Sequence, residues 1–251
     1  MKRLFISAVA TACVLTIGMT PILAQDGPPQ FRPVEVWACS FNDGMDQGDM
    51  DDVYEDIVEA AGDTAYAAFQ LNPYFTGTFG QNIDLIYVGA WADGSVMGAD
   101  MASYIGSDDD GWDETVDCQS FMYASNWIQP VAPPDDSGNF VMTISDCNVD
   151  HGNTPAQAMG AIGRFNDYRV ANGMTIGTLV WFPVYGGGNE EFDFKLLSVY
   201  PGPQGLGDAF KWTVDNAAYN TSTAIMEGVV GCDAARVYTG RTIMNNLPPA
   251  N

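Results

Sequence analysis

The chain has 251 residues, of which 47% are hydrophobic, and it carries 9 Lys and Arg against 32 Asp and Glu, for a formal net charge of −23. This composition is typical of a globular protein. The negative charge excludes a nucleic-acid-binding surface, because phosphate contacts need a basic patch. We therefore expect a small molecule or another protein as the partner.

The N-terminus has the features of a secretory signal peptide, which we assign to residues 1–24. Lys2 and Arg3 supply its positive region, residues 4–17 are apolar, and Ala24 ends an acceptable cleavage site. The apolar run is too short to span a bilayer, and no later segment is long and apolar enough to do so. We therefore expect an exported protein, periplasmic or extracellular, without a membrane span.

The first predicted unit covers residues 34–129 and follows a Pro-rich lead over 25–33. Alternating apolar residues predict strands, and apolar spacings of three and four predict helices. Asp49 is the predicted N-cap of the first helix. In chain order the predicted elements are a strand over 34–41, a helix over 50–61, strands over 65–75 and 83–91, a helix over 95–105 and a strand from 116.

A Pro-rich linker over 130–138 leads to a second predicted unit over 139–243, which is followed by a tail over 244–251. Thr154 and Gln157 form a predicted capping box with a proline at the first helical position. The second unit repeats the order of the first, with a strand over 140–147, a helix from 155 to about 172, strands over 176–185 and 192–200, a helix over 206–218 and a strand over 229–238.

Each half thus has the order β-α-β-β-α-β of the split βαβ, or ferredoxin-like, unit. The sheet order of this unit is 4-1-3-2, which places strand two at an edge and strand four antiparallel to strand one. Pro73 and Pro183 occupy matching places in the two second strands, and edge strands tolerate proline. The predicted fold class is α+β, with two tandem ferredoxin-like units.

Four cysteines remain beyond the predicted signal peptide, and an even number in an exported chain favours disulfides. Spacing alone allows three pairings. In each predicted unit, however, one cysteine ends the first strand and the other begins the neighbouring fourth strand. The sheet order therefore predicts the disulfides Cys39–Cys118 and Cys147–Cys232. Apolar residues after Cys13, within the signal peptide, argue against a lipoprotein site.

Two such units over about 34–243 resemble the dimeric α+β barrel superfamily, in which two ferredoxin-like halves pack sheet against sheet. The order of elements carries the resemblance, without a diagnostic motif. It implies a monomer that contains a pseudo-dimer, and often a cavity between a sheet and its own helices. Members include cofactor-independent monooxygenases, heme-handling proteins, isomerases and decarboxylases, so the fold alone does not select a function.

The candidate ligand-binding residues lie in the second unit. His151 is the only histidine, in a polar turn with Asn148 and Asp150. It could act as a general base or a heme ligand, although a solvated turn histidine is the commoner case. Aromatic side chains on strands can wall an apolar pocket or pack the core. The aromatic residues selected as pocket walls are Trp181, Tyr185 and Tyr200.

Metal and cofactor sites have little support in the sequence. One histidine and disulfide-bonded cysteines exclude a zinc site. The acidic loops over 46–52 and 108–114 could offer oxygen ligands to calcium, but neither has EF-hand spacing. We therefore expect no cofactor, with calcium as the alternative. No nucleophile constellation is present, so no catalytic residue is assigned.

The sparse set of titratable groups favours a non-catalytic protein that binds a small apolar or aromatic ligand or a protein partner. The alternative is a cofactor-independent small-molecule enzyme, of monooxygenase or isomerase type, with a single site in the second unit. The first unit has no histidine at the matching turn, which is why the alternative uses the second. A filled core between sheet and helices in the second half would contradict such a site.

Overall fold

The computed structural model describes residues 31–105, 111–129, 138–188 and 190–248. The parts of the chain outside these ranges include the predicted signal peptide, residues 25–30 of the lead, residues 130–137 of the Pro-rich linker, residues 108–110 of one acidic loop and the last residues of the tail. No helix within the described ranges is long and apolar enough to cross a membrane.

The first half alternates strands with three helices. Its elements are β1 (Arg32–Phe41), α1 (Gln47–Ala61), β2 (Tyr66–Phe75), β3 (Leu85–Trp91), α2 (Gly94–Tyr104), α3 (Trp112–Thr115) and β4 (Val116–Gln129). The N-cap of α1 is Asp46, so the prediction of Asp49 is wrong by three residues. Asp49 is instead the third helical residue, and its carboxylate accepts from the N-cap backbone to complete a capping box.

The second half repeats this order with one more helix and one more strand than the sequence predicts. Its elements are β5 (Asn139–Val149), α4 (Pro155–Ala171), β6 (Gly177–Tyr185), β7 (Phe194–Tyr200), α5 (Gly202–Asp215), α6 (Ala218–Met226), β8 (Val230–Cys232) and β9 (Arg236–Asn245). The capping box of Thr154 and Gln157 is confirmed. The single last strand that the sequence predicts is divided into β8 and β9.

Eight of the strands close into an antiparallel barrel in the order β7-β6-β4-β1-β3-β2-β9-β5, and β5 pairs with β7 to complete the circle. The short β8 pairs with the end of β5 outside this circle. The two halves are joined by the hydrogen-bonded pairs β2–β9 and β4–β6, rather than by two sheets packed face to face. The α+β class is confirmed, in the form of a closed barrel with six helices in the described residues.

Barrel closure changes the place of the two matching prolines. Pro73 and Pro183 do not lie on edge strands, because β2 pairs with β3 and β9, and β6 pairs with β4 and β7. Both prolines lie beside a shift in strand register. In the β2–β9 pair the shift is between Pro73 and Phe75, and in the β4–β6 pair it is between Met122 and Tyr123, the residue opposite Pro183. An irregular ladder position tolerates proline, since a backbone N–H is not required there.

Both predicted disulfides are present. Cys39 of β1 is bonded to Cys118 of β4, and Cys147 of β5 is bonded to Cys232 of β8. The two cysteines of each pair face each other directly in the strand register. The adjacency of first and last strands, from which the pairing was predicted, therefore holds in both halves.

Three apolar clusters form the core. One fills the barrel and takes side chains from both halves, among them Val36, Ile86, Tyr123, Phe140 and Trp181. A second lies between the strands of the first half and α1, α2 and α3. A third lies between the strands of the second half and the helices α4 and α6. The barrel strands are thus covered on both faces, and each half has its own layer between sheet and helices.

Candidate functional site

A carboxylate lies between the sheet and the helices of the first half. Side chains alternate along a strand, and Val34 and Val36 of β1 belong to the cluster inside the barrel. Glu35 and Trp37 therefore point to the other side, toward the helices. A charged group in this layer has lost most of its contact with water, so it must be hydrogen-bonded within the protein.

Both carboxylate oxygens of Glu35 accept hydrogen bonds. The phenol of Tyr66 donates to Oε1 at 2.6 Å, and the indole N–H of Trp37 donates to Oε2 at 3.0 Å. The phenolic oxygens of Tyr66 and Tyr87 lie 2.7 Å apart. These four side chains, on three neighbouring strands, form a continuous chain of hydrogen bonds that we call the Glu35 network.

The direction of hydrogen bonding in the Glu35 network follows from the number of hydrogens. A phenol has one hydrogen to donate, and Tyr66 gives its hydrogen to Glu35. The hydrogen between the two phenols must therefore come from Tyr87. The oxygen of Tyr87 is the far end of the chain, where acceptor capacity remains.

The absence of a side chain at Gly89 makes room for the Glu35 network. It lies opposite Glu35 in the register of β1 and β3. A β-carbon at this position would overlap the phenolic oxygen of Tyr66 and Oε1 of Glu35. Gly89 has no positive φ, so the requirement for glycine is one of space and not of backbone conformation.

Burial controls the protonation of these groups. Loss of water raises the pKa of Glu35 above its ordinary value, against the opposing effect of the hydrogen bonds from Tyr66 and Trp37. Burial also raises the pKa of Tyr66 and of Tyr87, and the charge of Glu35 adds to both shifts. The phenols therefore remain protonated at neutral pH, whereas Glu35 holds its proton more strongly than an exposed glutamate.

Aromatic rings connect the Glu35 network to a surface groove. Tyr54 of α1 stacks on Tyr87 with ring centroids 6.0 Å apart, and Trp112 of α3 packs edge-on against Tyr87 at 5.2 Å. Tyr54 also lines an open groove of about 460 Å³ between α1 and β9. Its buried hydroxyl has no hydrogen-bond partner within the described residues. Tyr54 is thus the wall between the groove and the network.

The corresponding layer of the second half is mostly apolar and filled with side chains. Its buried apolar members are Cys147, Ala158, Ala161, Ile162, Val180, Phe194 and Val230. Buried polar groups lie there as well: Thr178 donates to Asn166 at 3.3 Å and accepts from Arg169 at 2.8 Å. Nδ2 of Asn166 and Nε of Arg169 have no hydrogen-bond partner within the described residues. The sequence predicted a pocket in this half, but packed side chains occupy the space between its sheet and helices.

The three predicted pocket walls are not brought together. Trp181 is buried inside the barrel, where it stacks on Tyr123 with centroids 5.6 Å apart and its indole N–H has no partner among the described atoms. Tyr200 follows Val199, a residue of the same interior cluster, and therefore faces the other side of the sheet. Tyr185 is 69% exposed at the end of β6. No single pocket among the described residues is walled by all three.

The predicted polar residues lie together at the end of β5. The side chain of Asn148 donates to the backbone oxygen of Glu191 at 3.1 Å, and the backbone N–H of Asp150 donates to Val229 at 3.0 Å. His151 is exposed in the turn before α4. These contacts shape the turn, and a role of the three residues in ligand binding remains a prediction.

The first acidic loop uses its carboxylates within the protein. Asp46 and Asp49 cap α1, and Asp51 forms an ion pair with Arg241. Within the described ranges, no group of three or more His, Cys, Asp or Glu side chains is arranged to hold a metal ion. The second loop lies partly outside these ranges, so calcium at that loop remains a prediction.

The sequence analysis missed the Glu35 network, although one signal was present. Glu35 and Trp37 are two positions apart in a predicted strand, so a charged residue and an aromatic residue share one face. The strand aromatic residues were expected to pack the core or to wall a pocket, and the expected base was His151. The partners Tyr66 and Tyr87 come from two other strands, and their positions depend on strand register.

No family model matches the chain, and no curated protein does. Solved structures do match. A protein provisionally named a monooxygenase, from Lactobacillus acidophilus NCFM, has a TM-score of 0.53 at 11% identity, over 86% of this chain and 95% of that chain. A second protein so named, from Fusobacterium nucleatum, has a TM-score of 0.51 at 10% identity, over 85% and 93%. A heme-binding protein from Thermus thermophilus has a TM-score of 0.46 at 10% identity, over 86% and 93%.

The fold, a closed α+β barrel, is similar to those of these structures, in agreement with the resemblance to the dimeric α+β barrel superfamily. Two predictions are set aside in view of these structures. The preference for a non-catalytic binding protein is one of them, since the matching structures with TM-scores above 0.5 are provisionally named monooxygenases; at 10% and 11% identity the likeness itself shows the fold alone. The expectation of no cofactor is likewise set aside, because one matching structure is named a heme-binding protein; at a TM-score of 0.46 that name gives no argument for heme in this chain.

Heme itself does not fit the described residues. A heme iron needs an axial ligand such as histidine, thiolate or phenolate. His151 lies in an exposed turn, the four cysteines beyond residue 30 are in disulfides, and burial keeps the phenols of Tyr66 and Tyr87 protonated. No chemical step is therefore derived through heme.

Proposed function

We propose that the protein is a small-molecule enzyme in which the Glu35 network takes a proton from the substrate. The observation that carries this proposal is a partly buried carboxylate, hydrogen-bonded at the end of a chain of two phenols, whose pKa is raised by loss of water. A base with this environment holds its proton nearer neutral pH than a solvated glutamate, as acid–base catalysis requires. The fold shared with proteins named as monooxygenases supports the proposal that the protein is an enzyme. The Glu35 network supports proton abstraction as its chemical step.

The proton moves through three residues. The substrate gives its proton to the oxygen of Tyr87, Tyr87 passes its own to Tyr66, and Tyr66 passes its own to Oε1 of Glu35. The products are a substrate anion and a neutral Glu35, with both phenols restored. Return of the proton to another substrate atom completes an isomerisation. In monooxygenation the anion would react with dioxygen as a co-substrate.

The surroundings favour a small aromatic substrate with an ionisable O–H or an enolisable carbonyl group. The rings of Tyr54, Trp112 and Trp37 offer flat apolar contacts near the network. The groove between α1 and β9 adjoins Tyr54, and its volume of about 460 Å³ suits a molecule of one or two rings. Access to Tyr87 requires movement of Tyr54, because Tyr87 is only 4% exposed.

We also propose that residues 34–129 and 139–243 are two ferredoxin-like units in one exported monomer. The order β4-β1-β3-β2 in the first half and the pairs β5–β7, β6–β7 and β5–β8 in the second half support the units. The two disulfides support an oxidising compartment. The competing location of a site is at Asn148, Asp150 and His151, of which Asn148 lines a pocket at the end of β5.

The proposed function is tested with a panel of phenols, hydroquinones and enolisable ketones. Proton exchange with D2O and uptake of dioxygen are measured for the wild type, Glu35→Gln and His151→Ala. We expect turnover in the wild type and in His151→Ala, and a loss of at least about 100-fold in Glu35→Gln, which retains the shape but not the base. Equal activity in Glu35→Gln and the wild type would refute the role of Glu35.

A further inference from the structure

One end of the barrel holds a second pocket, on the opposite side of the sheet from the Glu35 network. It has a volume of about 840 Å³ and lies where β5 ends, near β8 and the loop between β6 and β7. Phe121 and Phe192 line it and also pack against the cluster inside the barrel. We call it the mouth pocket.

The cations of the mouth pocket are neutralised within the protein. Asp146, at the pocket wall, forms ion pairs with Lys195 at 2.5 Å and with Arg236 at 3.1 Å. Arg236 pairs in addition with Asp233 at 2.8 Å. Arg236 is only 5% exposed and lies behind Asp146 and Asp233, two carboxylates that line the pocket.

Two further carboxylates of the mouth pocket have no cation. Glu190 and Glu191 both line it, and neither has an ion-pair partner in the part of the chain that the structure describes. Burial raises the pKa of Tyr123, and the charges of Asp146 and Glu190 contribute to that shift. The charge of Glu190 is therefore close enough to the barrel interior to influence the phenol of Tyr123. The pocket has a surplus of negative charge.

Aromatic rings are held in place at the same pocket. The guanidinium of Arg236 lies over the ring of Phe79 at 4.4 Å, and the ammonium of Lys195 lies over Phe192 at 4.0 Å. Phe79 is nevertheless 60% exposed. The buried Arg236 holds this apolar ring in place at the rim of the pocket. A ligand that contacts the ring therefore does not have to order it on binding.

We propose that the mouth pocket binds a small organic ammonium ion. Glu190 and Glu191 supply the charge that balances the ligand, and the rings of Phe79, Phe121 and Phe192 contact its methyl or methylene groups. Phenyl faces beside carboxylates favour a cation with an apolar surface over both a metal ion and a neutral molecule. This binding is independent of the Glu35 network, which lies on the other face of the sheet.

The test compares choline with its neutral isostere 3,3-dimethylbutan-1-ol by isothermal titration calorimetry. We expect the wild type to bind choline at least about tenfold more tightly than the isostere. The double variant Glu190→Gln/Glu191→Gln should weaken choline binding by about fivefold or more. Phe79→Leu should weaken it by about threefold.

A matched control separates local contacts from the net charge of the protein. Asp167→Asn/Glu227→Gln removes the same two charges at exposed positions outside the mouth pocket and should leave choline binding unchanged. Equal binding of choline and the isostere, an equal loss in the control, or no binding of choline to the wild type would each overturn the proposal. The effect of Glu35→Gln on proton transfer is independent of these outcomes and is measured separately.

Discussion

The helix-facing layers of the two halves occupy equivalent places in the barrel but carry different chemistry. Glu35 lies opposite Gly89 in the first half, and Thr143 lies opposite Ser198 in the second. One step along, Trp37 lies opposite Tyr87, and its counterpart Ser145 lies opposite Leu196. The same scaffold therefore supports a partly buried carboxylate with phenols in one half, and in the other a mostly apolar core that holds a neutral pair of buried polar residues, Thr178 and Asn166.

The scaffold itself is repeated down to single hydrogen bonds. The carboxylate of Asp84 accepts from the backbone N–H of Phe41, and that of Asp193 accepts from Val149. The backbone N–H groups of the same two aspartates donate to the carbonyl oxygens of Cys39 and Cys147. These links between first and third strands are alike in the two halves, whereas the side chains of the layer differ, and the following predictions test that difference.

The largest effect is expected from removal of a disulfide. Cys39→Ala/Cys118→Ala and Cys147→Ala/Cys232→Ala open loops with separations of 79 and 85 residues. The chain-entropy model gives a loss of about 4 kcal/mol for each, nearly equal because the loops are nearly equal. Urea unfolding of each double variant measures the loss. If the two losses in the free energy of unfolding differed by several kcal/mol, the scaffolds of the two halves would not be equivalent.

A smaller effect is expected from Gly89→Ala. The added methyl group overlaps Tyr66 and Glu35, so we expect a loss of about 2 kcal/mol in the free energy of unfolding and loss of turnover. The matched control is Gly163→Ala in α4 of the second half, where a β-carbon meets no atom within 4 Å. There, alanine should stabilise the helix by about 1 kcal/mol. A stable, fully active Gly89→Ala would show that the network has no role.

The pH dependence of stability distinguishes the halves further. Because the folded-state pKa of Glu35 is raised, the folded state binds this proton more tightly than the unfolded state does, and the wild type loses stability as the pH rises from 4.5 through that pKa. Glu35→Gln removes this loss. The advantage of the wild type over Glu35→Gln should therefore shrink as the pH rises, as measured by urea unfolding across pH 4 to 8. A constant difference would contradict the raised pKa.

The smallest effect is expected from His151→Ala. This side chain is exposed in a turn, so its removal should change the free energy of unfolding by less than about 0.5 kcal/mol and leave turnover unchanged. The same unfolding and turnover assays measure it. A large loss of turnover would move the site to the second half and reverse the comparison between the halves.

Much of the scaffold could be predicted from the sequence, because local patterns determine it. Strand alternation, the capping box at Thr154 and the cysteines at matching strand ends all concern neighbours in the chain or neighbours in one small sheet. Barrel closure could not be predicted in this way. It pairs β2 with β9 and β4 with β6, across the two halves, and thereby removes the edges on which the two prolines were expected.

The site was harder to predict, because it depends on register. Glu35, Tyr66 and Tyr87 come together only when β1, β2 and β3 are aligned residue by residue, with Gly89 providing space between them. The sequence pointed to His151 in the second half, because a histidine is recognisable as a possible base without knowledge of its partners. A glutamate becomes a candidate base only through burial, which one sequence does not specify.

The most direct test is a titration of the Glu35 carboxyl group by infrared difference spectroscopy, with Glu35→Gln as the blank. We expect a protonated carboxyl band that persists above pH 4.5, is missing in Glu35→Gln, and disappears over the same pH range in which turnover rises, since the base must be ionised to accept a proton. A carboxyl group that loses its proton at or below pH 4.5, or turnover that does not follow its ionisation, would contradict the assignment of Glu35 as the proton acceptor.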